Sequence, residues 1–320
     1  MIRRSFIAGG LIAAGIREAS AADLYPTKPV KWVVPYPAGA FTDAAARVIG
    51  QRLAARMGQQ FIVDNKTGAG AIIGTEAVVN APPDGYTLLF VSTANVINIT
   101  LYKKLPFDFR KDIVPVAGLV LMPQLIVVNP AVPARTVAEF IAYCKVNPGK
   151  VNMASAGIGT GNHLAGEIFQ SMTGVKLTHV PYRGTALAMA DLISGQVQVI
   201  FDNVATSIDQ IRAGKIRAIA TTTRERLPLL PDVPPVADTV PGYEAVSFYG
   251  IGAPRGTPPE IVDRLNREVN LAMADPEIAA FFTKLGTIIS LGTPADFGAL
   301  MDREGAKWAT AVKSSGASLE

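Results

Sequence analysis

The chain has 320 residues, 49% of them apolar and 18% charged, which suits two domains with large cores and excludes a disordered chain. Its formal net charge is +4, with Lys and Arg scattered rather than clustered, so no nucleic-acid-binding face is expected. Two His and one Cys exclude a disulfide framework, argue against a zinc site, and leave few groups for His-based catalysis.

The first 22 residues read as an export signal. Arg3-Arg4 precede an apolar, small-residue run from Phe6 to Ile16, and Ala19-Ser20-Ala21-Ala22 supply the small residues before a cut. The run is about 11 residues long, short of the roughly 20 that span a membrane. Arg3-Arg4-Ser5-Phe6-Ile7 fits a twin-arginine signal, and the general secretory route is equally open. The segment carries three Arg and one Glu, so half of the positive balance leaves with it.

The body alternates strands and helices. Strands are expected at 30–34, 61–63, 87–91, 125–128, 151–154, 178–180, 199–201 and 216–220, each a short apolar run. Between them, Ala45, Ile49, Leu53 and Met57 recur every fourth residue on a helix face that Gly58 ends. Thr136 to Glu139 is a capping box, and Thr257-Pro258-Pro259-Glu260, Asp275-Pro276-Glu277 and Thr293-Pro294-Ala295-Asp296 are further helix starts. Such alternation predicts mostly parallel sheets with helices on both faces. The Pro-rich stretch from Pro228 to Pro241 is a candidate lid or interdomain crossing. Cys144 falls on an apolar helix face and reads as an inert core thiol.

Ligands of open α/β sheets bind beyond the carboxyl ends of the strands. Four loops there are small or Gly-rich and precede helices: Tyr36 to Asp43, Asn65 to Gly74, Ser155 to His163, and Pro181 to Thr185. Glycine lets backbone N–H groups approach a ligand, and a helix start adds unpaired donors with partial positive charge. Several such starts around one cleft would hold a carboxylate or phosphate without a basic cluster. Gly68, Gly70 and Gly74 lack dinucleotide-motif spacing, and Met153 stands where a nucleophile elbow around Ser155 needs Gly. His163, with Glu167 one turn on, reads as a metal pair or base, or as a helix-start His bonded to a loop or ligand. Asp202 either accepts from a ligand or caps the helix after it. Tyr36, Phe41 and Tyr182 are the aromatic residues near the loops.

Taken in order, these loops resemble the tripartite tricarboxylate transporter solute receptors, or Bug receptors. The resemblance covers nearly the whole mature chain. It runs through Tyr25 to Val30, Pro35 to Asp43, Asn65 to Gly74, Pro83 to Leu89 and Leu101 to Asp108. It continues through Gly159-Thr160 with His163 to Glu167, Val180 to Gly184, Asp191-Leu192 with Gly195 to Val197, Phe201 to Asn203 and Leu230 to Pro234. It implies an α/β, two-lobed periplasmic binding protein of type II-like build, each lobe a mostly parallel sheet flanked by helices. Lobe 1 would hold 23–123 plus 247–320, and lobe 2 124–246. The protein would be a monomer that closes on a small carboxylate and hands it to the membrane permease subunits of a tripartite tricarboxylate transporter. A membrane sensor as partner, or a hydrolase built on Ser155 or His163, are the alternatives. No catalytic residue, metal, cofactor or nucleic acid is expected.

By the resemblance, Gly39, Ala40, Gly68, Ala69 and Ala71 grip the carboxylate, with Tyr36, Thr42 and Ser155 among the lining residues. Thr160, His163, Tyr182, Gly184, Thr185, Asp202 and Asn203 face it from the other lobe. Ala40 and Ala71 stand where Gly is common, and each added methyl narrows the backbone. Phe41 and Ile72 replace smaller or more polar residues, so the expected pocket is apolar and favours an aromatic or short aliphatic carboxylate over citrate.

Overall fold

The computed structural model describes residues 25–320, so the expected signal over 1–22 lies outside the described residues. The chain enters at β1 (Val30–Val34), whose residues, Lys31 excepted, are buried. Helix α1 (Phe41–Met57) follows, burying Ala45, Ile49, Leu53 and Met57 as their spacing predicts. Gly58 ends it in the left-handed region, φ 73°. A Cβ on Gly50 would lie 3.3 Å from Phe61, so this glycine lets α1 sit close on the sheet. Then come β2 (Phe61–Asn65), a 3₁₀ turn (Ala69–Ala71), α2 (Ile72–Val79), β3 (Thr87–Ser92), α3 (Thr93–Leu101) and α4 (Phe109–Asp112).

The next strand, β4 (Ile113–Val128), is 16 residues long. It is followed by α5 (Val137–Val146), β5 (Asn152–Ser155), α6 (Gly161–Thr173), β6 (Thr178–Pro181), α7 (Thr185–Ser194), β7 (Val199–Asn203), α8 (Val204–Arg212) and β8 (Arg217–Thr221). The chain returns through β9 (Val246–Pro254), α9 (Pro259–Met273), α10 (Pro276–Lys284), β10 (Ile288–Ile289) and α11 (Pro294–Ser315). Among the described residues no helix is long and apolar enough to cross a membrane.

The strands run in the order β2-β1-β3-β9-β4-β7-β5-β6, with β8 and β10 also on β4. The βαβ units read from the sequence pair in parallel, β1 with β2 and β3, and β5 with β6 and β7. Among the described residues, every antiparallel pairing of these strands involves β4 or β9. Strand β4 changes partners part-way: Ile113 to Pro123 lie on β9, and Gln124 to Val128 on β7 and β8. Register shifts in the first segment and at Ile126/Val127 bend it.

The sequence reading held only the end of β4 and omitted β9, because glycine and proline interrupt both patterns. The structure gives the reason for the glycines. A Cβ on Gly250 would lie 2.1 Å from the Phe297 ring, and one on Gly118 2.7 Å from the Ser290 carbonyl. These strand glycines admit neighbours that no other residue would.

The helix starts follow the predicted chemistry with two adjustments. Thr293 and Asp296 form a full capping box, and Asp275 accepts from Glu277 and Ile278. At α5, Thr136 accepts from Glu139 N, but the Glu139 carboxylate reaches back to Arg135 N at 2.7 Å. At α9 the cap is Pro258, and the Thr257 hydroxyl donates to the Pro254 carbonyl instead. The Pro-rich stretch is laid along β8: Thr221 N donates to Pro234 O, and Val236 is buried. Cys144 is buried and its thiol is pushed up to about 12 by burial, as an inert core thiol should be.

Candidate functional site

A cavity of about 250 Å³ lies where β4 exchanges partners. Gln124 of β4, Asn203 of β7, and Ser247 and Tyr249 of β9 form its floor. Three helices start at its wall. The first turn of α3 supplies Thr93 and Ala94 after Ser92; α6 supplies Gly161 and Asn162 after its cap Thr160; α8 starts at its cap, Asn203. First-turn N–H groups have no intrahelical acceptor, and the helix dipole adds partial positive charge. Among the described residues, no side chain lining the cavity carries a formal charge. Ile97, Leu101, Ile158 and Leu319 provide an apolar wall. Gln124 Oε1 and Asn203 Oδ1 are buried there without a hydrogen-bond partner among the described residues. The arrangement offers backbone donors and neutral polar groups at one side and hydrocarbon at the other, which suits a small anion with an apolar body.

The first loop is held by an ion pair. Asp43 Oδ2 accepts from Gly39 N at 2.9 Å, while Oδ1 takes Arg47 Nε at 3.0 Å. Arg47 also donates to Asn65 Oδ1, and Asn65 Nδ2 donates to the Tyr36 carbonyl at 3.0 Å. The Arg47 guanidinium, ahead of the Gly39 amide, holds the Asp43 carboxyl below the usual range. Tyr36 lines the cavity, its hydroxyl 2.7 Å from Ser92 Oγ, and burial raises its pKa.

The second loop stores backbone strain. Gly68 and Gly70 have φ 132° and 60°, and Ala69 and Ala71 share the left-handed region at 45° and 81°. A non-glycine residue there costs on the order of 1–2 kcal/mol. Helix α3 holds the loop in place. Asn98 Nδ2 donates to the Gly70 carbonyl at 2.7 Å. Asn95 Nδ2 donates to Thr75 Oγ1, whose hydroxyl donates to the Ala71 carbonyl at 2.8 Å. Ala40, by contrast, sits at an ordinary extended φ of −71°.

The third loop enters the wall at Ile158, Gly159 and Thr160. The Thr160 hydroxyl donates to Gly157 O at 2.7 Å. A Cβ on Gly159, φ 76°, would lie 2.2 Å from Leu101 Cδ2, so the loop and α3 meet across the cavity with no room to spare.

The expected site residues therefore separate. Tyr36, Thr160 and Asn203 line the cavity, and Gly70 represents the second loop. Gly39, Ala40, Thr42, Gly68, Ala69 and Ala71 stand outside the lining, in the loops that build it. Phe41 packs on Tyr249 and Phe282, ring centroids 5.2 and 6.3 Å away, and Ile72 is buried. The apolar wall comes instead from Ile97, Leu101, Ile158 and Leu319. Ser155 and His163 are buried behind the third loop. Asp202 is fully buried, and its carboxylate accepts from Ser207 and Thr206 in α8 and lies 3.4 Å from Asn162 Nδ2. Burial raises its pKa. Gly184 and Thr185 lie outside the lining, and Tyr182 hydrogen-bonds Asp191 at 2.6 Å.

Sequence reasoning missed α3 and the two long strands. Ser92 and Asn95 were a legible signal, a capping pair directly after an expected strand. Gln124, Ser247 and Tyr249 gave none, since they lie within strands whose pattern glycine and proline interrupt.

The family model "Tripartite tricarboxylate transporter family receptor" matches residues 45–316. The chain belongs to this family. It is 34% identical to protein BugT of Bordetella pertussis over 324 residues, covering 100% of this chain and 99% of BugT. Its fold matches an R. palustris protein solved with adipate at a TM-score of 0.82 and 36% identity, covering 92% of this chain and 100% of that one. It matches the periplasmic binding protein BugD at a TM-score of 0.78 and 34% identity, again over 92% and 100%. The family receptor is thus a two-lobed α/β periplasmic binding protein fold, as its resemblance implied.

Proposed function

We propose that this receptor captures a small carboxylate in the cavity at the β4 junction and delivers it to the membrane permease of a tripartite tricarboxylate transporter. One observation carries the reading: the starts of α3, α6 and α8 converge on a cavity with no charged side chain. Backbone donors hold the carboxylate. The apolar wall takes a short hydrocarbon body, and the adipate of the R. palustris relative has that chemistry. The lobes are 23–123 plus 247–320 and 124–246, and the change of partners between Pro123 and Gln124 supports this division. Closure is a rotation of the lobes about β4 and β9. The chain acts in the periplasm as a monomer, after export by the cleavable segment 1–22.

The role is binding without chemistry. Ser155 and His179 touch at 2.7 Å, but Ser155 is fully buried, is not among the residues lining the cavity, and shares its Oγ with the backbone of Gly157. That arrangement favours loop support over nucleophilic attack.

A thermal-shift screen of the purified mature protein against mono- and dicarboxylates, sugars and amino acids tests the reading. A matching carboxylate at about 100 times its Kd adds about 2.7 kcal/mol of stability. Stabilisation by a sugar or an amino acid with none by any carboxylate overturns it.

A further inference from the structure

Both histidines of the chain meet behind the third loop. Their rings stack at 3.8 Å between centroids, tilted by 22°. Each supports the loop through a different atom. Gly159 N donates to His163 Nδ1 at 3.2 Å. A backbone N–H can only donate, so Nδ1 is the bare nitrogen and the proton sits on Nε2, which lies 3.5 Å from Glu167 Oε1. His179 Nε2 lies 2.7 Å from Ser155 Oγ, which accepts from Gly157 N at 3.1 Å. The loop between Gly157 and Gly159 is thereby tied to two imidazoles that do not line the cavity, while Ile158 and Gly159 do.

We propose that His163 and His179 are positioning residues for the third loop, and that a proton on the pair releases Gly159 and weakens ligand capture in acid. The inference rests on the carboxylate-receptor reading of the cavity. A proton on His163 Nδ1 sets two donors against each other at Gly159. A proton on the half-buried His179 places a cation against the stacked, buried ring of His163. The charged and titratable groups around the pair are few. Glu167 is on the same helix, α6; β6 brings His179; β7 brings Asp202 against Asn162, the residue before His163; and the groove further along α6, beside Ile168, carries Glu244 and Lys307, the latter paired with Glu304. Burial, then His163, pushes His179 down to about 4, with Glu167 opposing. A depressed pKa makes the ordered loop fully favoured above the ordinary imidazole value of about 6.5, and the advantage is lost as pH falls from there towards 4.

Two readouts test this. Without ligand, nitrogen-15 NMR of the native protein at about pH 7.5 should show His163 Nδ1 unprotonated. The Gly159 amide protection factor, corrected for intrinsic exchange, should fall at least about threefold by pH 5.5. With adipate as probe, or the strongest carboxylate of the screen if adipate does not bind, native affinity should fall more steeply over that range than that of His163→Asn/His179→Gln. That pair leaves polar atoms near the same positions without a titrating ring, and any slope left in it belongs to the ligand. A protonated Nδ1 at pH 7.5, or Gly159 protection that does not change with pH, overturns the proposal even if the double variant fails to fold. Equal slopes in native and variant proteins overturn it as well. Failure of every carboxylate to bind counts against the receptor reading alone, because the amide readout needs no ligand.

Discussion

The loops on the two sides of the cavity are braced by different chemistry. On the first side, Tyr36 to Asp43 is stitched to Asn65 by Asp43 and Arg47, an ion pair whose cation is half exposed. On the second side, Gly157 to Thr160 is held by neutral groups: the Thr160 and Ser155 hydroxyls and two stacked imidazoles. An ion pair of Asp and Arg keeps its charge state from about pH 5 to 8, whereas an imidazole released from its contacts takes up a proton within that range. One wall is therefore a fixed anchor and the other is open to proton control. Neither brace places a charged side chain at the cavity, which leaves the backbone to meet the anion.

The largest effect is expected where the two sides touch. Gly159→Ala puts a methyl against Leu101 and forces a left-handed alanine. We expect at least about a tenfold loss of carboxylate affinity by calorimetry with the fold kept, from strain of 1–2 kcal/mol plus the displaced contact. Unchanged affinity would show that the two sides do not close at this point. Next, Asp43→Ala removes the acceptor of Gly39 and the partner of Arg47. About a fivefold loss of affinity should follow, about 1 kcal/mol, the net scale of one ordinary hydrogen bond. Loss of equal size from Arg47→Ala would identify the pair as a unit; an unchanged Arg47→Ala would assign the bracing to the Asp43–Gly39 contact alone.

The pH contrast is smaller and sharper. Asp43 has a lowered pKa, so its support is complete above the ordinary carboxyl value of about 4 and is lost only below it. Gly39 amide protection should stay level between pH 7.5 and 5.5 while that of Gly159 falls. Parallel behaviour of the two amides would erase the distinction between the walls. The smallest effect is expected at Ala71, whose φ is 81°. Ala71→Gly relieves left-handed strain against the extra entropy of glycine, for a net gain of at most about 1 kcal/mol in denaturant unfolding. A clear loss of stability would mean that the buried methyl contributes more than the strain it imposes.

Much of this was legible in the chain itself. The parallel βαβ units, the helix starts at Asp275 and Thr293, and the Gly-rich loops follow from local pattern and capping chemistry. The strained position at Ala71 was legible as a methyl where glycine is usual, but Ala40 looked the same and proved relaxed, because backbone angle depends on the contacts of Asn95 and Thr75. Long-range packing hid the rest. The glycines of β4 and β9 looked like interruptions until Phe297 and Ser290 were seen against them. Phe41 looked like a pocket residue because of its loop, yet its ring turns to Tyr249 and Phe282. Asp202 kept two readings in the sequence, and the hydroxyls of Thr206 and Ser207 are what engage it here.

The central claim is that backbone at converging helix starts holds a carboxylate between the lobes. A crystal structure of the protein with the carboxylate that gives the largest thermal shift tests it most directly. One carboxylate group should lie within hydrogen-bond reach, directly or through one water, of backbone N–H groups near Gly70, Thr93 or Gly161, with the hydrocarbon against Ile97, Leu101 and Ile158. A carboxylate held by a Lys or Arg side chain, or bound outside this cavity, would contradict it.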